Sequence, residues 1–259
     1  MDNALSINHL SYTYHSINGE TNALEDVSFF VKQGEFISLV GPSGCGKSTL
    51  LNMIAGLLPV QQGEILIQEQ PLRKSQKTIG YMLQKDHLLG FRTIYKNILL
   101  GPEIQKKCNT QVKEKADALL KKYGLYQFKD SYPKELSGGM RQRAALIRTL
   151  MIAPDILLLD EPFSALDYQT RLNVSDDICK IIKEEKITAI LVTHDLSEAI
   201  SVSDRILVLS KRPATIKATL PITFSIPTNS PREARTREEF KDYFHLLWKE
   251  VEDENENTN

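Results

Sequence analysis

Residues 41–49 read Gly41-Pro42-Ser43-Gly44-Cys45-Gly46-Lys47-Ser48-Thr49: a glycine, four residues, then Gly-Lys-Ser. Closely spaced glycines let successive backbone N–H groups turn to one side and form a concave anion nest. A helix that starts beside the nest points its positive end at the same anion. Lys47 adds a mobile charge suited to β- and γ-phosphates, and Ser48 adds a hydroxyl suited to Mg²⁺. The flanks agree, with the apolar run Phe36–Val40 leading in as a strand and a helical pattern leading out from Lys47 to Leu58. Cys45, inside the nest, reads either as a small filler or as a thiol activated by Lys47 and the helix start.

Moving outward, Leu5–Tyr14 partly alternates as a half-buried strand does, and the polar stretch His15–Asn22 reads as a loop. Val27–Val31 and Phe36–Val40, joined by Lys32-Gln33-Gly34-Glu35, read as a hairpin. Gly63–Ile67 and Thr78–Leu83 look like further short strands, and from Gln84 to about Ala153 the chain is mostly helix-forming. Within that block Gln111–Tyr123 is amphipathic, with Val112, Ala116, Leu119 and Leu120 on one face. Strand signal returns in Ile156–Leu159, Thr188–Thr193 and Ile206–Leu209, with a helix over Tyr168–Lys186. Strand, helix, strand in this order predicts a parallel α/β layer with a helical block inserted. The first of these strands ends in Asp160-Glu161, at the sheet edge where such folds bind ligands. Asp160 is suited to hold Mg²⁺ and Glu161 to take a proton from an attacking water.

The 259 residues carry 32 Lys+Arg against 33 Asp+Glu, a net charge of −1, which argues against a nucleic-acid partner. No apolar run approaches the roughly 18–20 residues that span a bilayer. Met1-Asp2-Asn3-Ala4 lacks the build of a signal peptide, and three scattered cysteines suit a reducing cytosol. The tail from Pro221 holds Pro221, Pro227 and Pro231, then an amphipathic helix over Glu238–Val251. Its acid- and Asn-rich end, Glu250–Asn259, reads as disordered. The helix, with Phe240, Tyr243, Phe244, Leu247 and Trp248, could dock on the core, contact a partner or regulate.

Between the two sites lies Leu136-Ser137-Gly138-Gly139-Met140-Arg141-Gln142-Arg143. With Gly41–Thr49 before it and Leu159-Asp160-Glu161-Pro162-Phe163 after it, this stretch resembles the signature of ATP-binding cassette (ABC) proteins over roughly residues 5–215. The resemblance implies a P-loop NTPase: a RecA-like parallel-sheet α/β core, an N-terminal antiparallel β subdomain and an inserted α-helical subdomain. It places the nucleotide-binding domain at 1–220, the helical insertion at about 85–153 and the tail at 221–259. It also assigns roles. Tyr14 stacks on adenine, and Gln84 begins the loop linking the core to the helical subdomain, as a catalytic group and Mg²⁺ ligand with Ser48 and Asp160. Ser164-Ala165-Leu166-Asp167 communicates across a dimer, and His194 is the switch histidine at the γ-phosphate. Ser137, Gly138 and Gly139 would bind the ATP held by the P-loop of a second copy.

The likeness extends to import cassettes of the nitrate/sulfonate/taurine type through Gln84–Asn97 and through Leu209-Ser210-Lys211-Arg212-Pro213. That type often has Pro-Trp before Arg92, where this chain has Gly90-Phe91. The implied machine is a homodimer on the cytoplasmic face of the membrane, driving a separate permease that contacts about Gln84–Asn97 and indirectly serving a solute-binding protein. Met140 stands where many cassettes have Gln. A soluble assembly ATPase or an exporter's cassette is the alternative, and a small-molecule kinase would have no use for Leu136–Arg143.

Overall fold

The computed structural model describes residues 3–17, 19–75, 77–226, 228 and 230–256; Pro227 and the last three residues lie outside them. Two compact units emerge, residues 1–77 with 186–259, and residues 78–185 between them.

The first unit opens with β1 (Asn3–Ser16) and β2 (Gly19–Lys32), followed by β3 (Phe36–Val40), α1 (Lys47–Ile54), β4 (Gln62–Ile67) and β5 (Gln70–Pro71). Strands β2-β1-β4-β5 form an antiparallel sheet. The expected loop 15–22 is instead the far end of the β1–β2 hairpin, where His15 pairs with Glu20 and Thr13 with Asn22. Its described side chains, those of residues 15–17 and 19–22, are solvent-exposed, so the apolar alternation that marks a strand is absent there. The hairpin predicted across Lys32–Glu35 is also corrected: the turn exists, but β2 pairs with β1 whereas β3 pairs with two other strands. Burial gives the reason. β2 alternates buried and exposed residues, while all five residues of β3 are buried.

The rest of this unit comprises β8 (Thr188–Val192), α7 (Leu196–Val202), β9 (Arg205–Leu209), β10 (Ile216–Pro221), α8 (Pro231–Ala234) and α9 (Glu239–Glu256). β3 runs parallel to both β8 and β9, and β10 closes the edge antiparallel to β9. α1 is shorter than predicted because Gly56, at φ 73°, ends it: Gly56 N–H donates to Met53 O and Leu57 N–H to Asn52 O. The tail helix docks on the core. Phe240, Tyr243, Phe244 and Val251 pack around buried Leu247 against Leu196, Ile200, Ile206 and Leu220. Tyr243 Oη donates to Thr223 O and Lys217 Nζ to Glu250 O, and α9 continues to Glu256, through most of the stretch expected to be disordered.

The second unit holds β6 (Ile79–Met82) parallel to β7 (Ile156–Asp160), and the helices α2 (Ile94–Ile98), α3 (Leu100–Ile104), α4 (Thr110–Lys122), α5 (Gly138–Leu150) and α6 (Tyr168–Glu184). Its helical core gathers Ile94, Ile98, Leu99, Ala116, Leu120 and Ile147. The amphipathic segment foreseen at 111–123 is α4, with Ala116, Leu119 and Leu120 buried. Residues 84–93 are irregular instead of helical and are tied by side chains described below.

Candidate functional site

The glycine-rich loop joins the buried strand β3 to α1 in the first unit. Gly41 and Gly46 have positive φ, 154° and 133°. A Cβ on Gly41 would lie 2.7 Å from Leu209 O, and one on Gly46 would lie 2.9 Å from Ala23 O. Both positions therefore need glycine for backbone conformation and for space. α1 begins with no side-chain cap and no acid in its first turn, so nothing of its own opposes an anion there.

Lys47 is buried, and its ammonium donates to the carbonyls of Gly41 and Pro42, each at 2.8 Å. Arg212, which follows β9, reaches Gly44 O through Nε at 3.1 Å and through Nη2. Ser43, Gly44 and Ser48 are exposed, whereas Thr49 is buried. Cys45 is only 2% exposed, with Sγ 3.9 Å from Lys47 Nζ, which suits a packed filler better than a reactive thiol.

Tyr14, near the end of β1, is bound to the same loop: its hydroxyl lies 3.1 Å from Thr49 Oγ1. Its ring is 41% exposed and stands edge-on to Tyr12, with centroids 4.9 Å apart. His194 is exposed in the turn after β8. The turn is locked on either side, where Thr193 Oγ1 donates to buried Glu198 and Asp195 caps α7 by accepting from Glu198 N–H.

The second unit assembles another group. Glu161 follows β7 with φ 45°, a left-handed conformation that a glutamate adopts at a cost of about 1–3 kcal/mol. Gln84, just after β6, donates from Nε2 to Glu161 Oε2 at 3.2 Å and to Ser164 Oγ at 3.3 Å. Ser164 Oγ in turn donates to Glu161 O. Gln84, Glu161 and the start of the Ser164–Asp167 stretch are thus one hydrogen-bonded cluster. Tyr81 donates to Asp160 Oδ2 at 3.4 Å. Burial first, and then the Asp160 charge, push the Tyr81 phenol well above its usual range. Asp167 caps α6, and its hydrogen bonds from Thr170 hold the carboxyl below the usual range.

Ser137 caps α5, accepting from Met140 N–H at 3.4 Å. Ser137 is exposed, Gly138 half-buried, and Gly139 buried against α6. A Cβ on Gly139 would sit 2.8 Å from Thr170 Cγ2 and 3.0 Å from Val174 Cγ2. This glycine is therefore required by helix packing.

Several residues that composition did not single out organise the second unit. Arg141 donates to Asp86 at 3.0 Å, and Arg148 donates to the carbonyls of Asp86 and His87. The two arginines lie seven residues apart on α5, a same-face spacing visible in the sequence. Buried Asn97 binds Leu89 N–H and the carbonyls of Leu89, Arg92 and Thr93, which fixes the irregular segment 83–93.

Ser48, Asp160 and Gln84 offer a hydroxyl, a carboxylate and an amide oxygen, the hard donors that Mg²⁺ prefers. Among the described residues no group of three or more His, Cys, Asp or Glu is built to cage a metal. Each of these donors, Ser48 in the first unit and Asp160 and Gln84 in the second, is of the kind taken by an ion that completes its shell with phosphate oxygens and water.

Comparison with known proteins gives a consistent result. Residues 24–164 match the family profile described as ABC transporter. The chain is 45% identical over 247 residues to the uncharacterized ABC transporter ATP-binding protein YtlC of Bacillus subtilis (strain 168), covering 95% of each. It is 39% identical over 230 residues to the aliphatic sulfonates import ATP-binding protein SsuB of Bacillus anthracis, covering 89% of this chain and 90% of that protein. It is 36% identical over 251 residues to the taurine import ATP-binding protein TauB of Roseobacter denitrificans (strain ATCC 33942 / OCh 114), covering 94% of each. Among solved structures it is similar to the dimeric, post-hydrolysis ATP-binding cassette MJ0796 bound to ADP and Pi. That match has a TM-score of 0.73 at 30% identity, covering 85% of this chain and 99% of that one.

Proposed function

This chain belongs to the ABC transporter family, and from that premise we propose that it powers an importer of a small solute such as a sulfonate, taurine or nitrate. The chain is an ABC ATPase and an ATP-binding subunit with the P-loop NTPase fold. Among the described residues no helix is long and apolar enough to cross a membrane. Likeness to import ATP-binding proteins supports a separate permease as the translocation path, met through about Gln84–Asn97 at the cytoplasmic face.

The observation that carries the reading is the loop Gly41–Thr49, whose lysine is already seated at the nest. On this reading the backbone donors of the loop and the start of α1 bind the β- and γ-phosphates of ATP, and the Tyr14 ring takes the adenine. Lys47 moves from its two carbonyls to the phosphates. Glu161 accepts a proton from the attacking water, and the P–O bond to the leaving ADP breaks. Lys47 and His194 stabilise charge on the transferred phosphoryl group. Mg²⁺, held by Ser48, Asp160 and Gln84, supplies charge neutralisation when bound. Gln84 keeps Glu161 oriented through the hydrogen bond already present. Ser137, Gly138 and Gly139 serve the ATP of a second copy, and Asp167 lies in the stretch that communicates between the two. Similarity to a dimeric cassette supports this pairing.

The test is Glu161→Gln. It should bind Mg-ATP with near-normal affinity and hydrolyse it about 10²–10⁴ times more slowly, which is the range for removal of a general base. Lys47→Ala, measured alongside, should lose nucleotide affinity. Near-normal turnover by Glu161→Gln would reject its assignment as base, and unchanged affinity in Lys47→Ala would reject the phosphate role of the loop.

A further inference from the structure

A loop that binds anions through its N–H groups has to keep its own carbonyl oxygens out of the way, since each carries negative partial charge. Here four of the loop's carbonyls are held in three ways. The carbonyls of Gly41 and Pro42 accept from Lys47 Nζ. The carbonyl of Gly46 accepts from Leu50 N–H within α1, at 2.9 Å. The carbonyl of Gly44, at the exposed tip, is held from outside the loop by the Arg212 guanidinium, with Nε and Nη2 on one oxygen.

Arg212 is itself held in place. Ala214 N–H donates to Ala23 O, and Glu25 N–H donates to Ala214 O, each at 3.0 Å, so its segment is stitched to β2. Ser210 Oγ and Thr215 Oγ1 lie 3.1 Å apart and close the base of the same turn. The same backbone forms the floor of the loop: a Cβ on Gly46 would meet Ala23 O at 2.9 Å and Ala214 Cβ at 3.7 Å.

We propose that Arg212 is a positioning residue for nucleotide binding: it holds the Gly44 carbonyl away from the anion nest and places a fixed positive charge at the loop tip. The division of labour with Lys47 follows from the geometry. Lys47 must leave its carbonyls to reach a phosphate, whereas Arg212 bonds to the loop tip and keeps its shape while the lysine moves. This inference rests on the nucleotide reading above.

The test measures the binding of Mg-ATP and of adenosine by titration calorimetry on the full chain, with kcat and melting temperature recorded for each variant. Arg212→Ala should weaken Mg-ATP binding about tenfold, the scale of one charge-assisted hydrogen bond. Adenosine binding, kcat at saturating ATP and melting temperature should change little. Arg212→Lys, which keeps the charge and one donor, should restore most of the affinity. The affinity gap between wild type and Arg212→Ala should also narrow as salt rises. Equal Mg-ATP affinity in wild type and Arg212→Ala overturns the inference and leaves the nucleotide reading standing. So does a loss that Arg212→Lys fails to restore and that runs parallel to kcat and melting temperature. A wild-type chain that does not bind Mg-ATP overturns both.

Discussion

On the proposed reading Tyr14 would combine two functions in one side chain. Its hydroxyl ties the end of β1 to Thr49 in α1, and its half-exposed ring is free to lie against a flat base. These contributions separate by substitution. Tyr14→Phe keeps the ring and gives up one neutral hydrogen bond, worth about 0.5–1.5 kcal/mol. Tyr14→Ala also removes the stacking face, worth about 1–3 kcal/mol per base. A fluorescent-nucleotide titration should therefore order the affinities wild type, then Phe, then Ala, with GTP affected much as ATP is. Equal affinity for Phe and Ala would mean that no base stacks there. The chemistry of this residue was only partly legible. The apolar alternation ended its strand near position 14, and the adenine role came from the resemblance alone. The Thr49 contact needed coordinates because it joins residues 35 apart. Arg212 illustrates the same limit more sharply, at 168 residues from Gly44.

At the level of elements, the packing of α5 on α6 decides how Gly139 should be understood. Alanine is worth about 1 kcal/mol more than glycine inside a helix. Against that, a Cβ at this position meets Thr170 Cγ2 at 2.8 Å and Val174 Cγ2 at 3.0 Å. Both neighbours are β-branched and stiff at χ1, so neither swings aside cheaply, and overpacking costs about 1–3 kcal/mol. Gly139→Ala should consequently destabilise the chain in urea unfolding, by up to about 2 kcal/mol. Thr170→Ser removes the nearer methyl and should relieve the cost, giving a coupling of at least about 0.5 kcal/mol in the double-mutant cycle. Additive effects would show that α5 shifts freely, and that the glycine is kept for a ligand instead. Legibility here followed burial. β3, β7 and β8 are almost wholly buried and stood out as apolar runs. The distal β1–β2 hairpin and the edge strand β10 expose much of their surface and carry no such signature. Residues 84–93 read as helix-forming, yet Asn97 and Arg148 of α5 take up backbone groups that a helix would have paired internally.

For the whole molecule, the sequence order conceals how the parts are distributed. The first unit is built from both ends of the chain and carries the phosphate loop, Tyr14 and His194. The second is inserted at 78–185 and carries Gln84, Ser137, Asp160, Glu161 and Asp167. Each of these features occurs once per chain, which is the stoichiometry expected if two copies share two nucleotides. A variant that binds ATP without hydrolysing it should then accumulate in the paired state. Tagged Glu161→Gln, purified from detergent-solubilised membranes with Mg-ATP, should elute as two copies together with a polytopic membrane protein in equal amount. The same preparation made with Mg-ADP should contain fewer paired cassettes, because ADP lacks the phosphate that both halves would grip. A substrate-binding protein recovered with the complex would identify the solute class, which the cassette itself barely encodes. Recovery from the soluble fraction alone, with a cytosolic partner or none, would leave the ATPase assignment intact and reject the importer, since nothing would then connect hydrolysis to a path across the membrane.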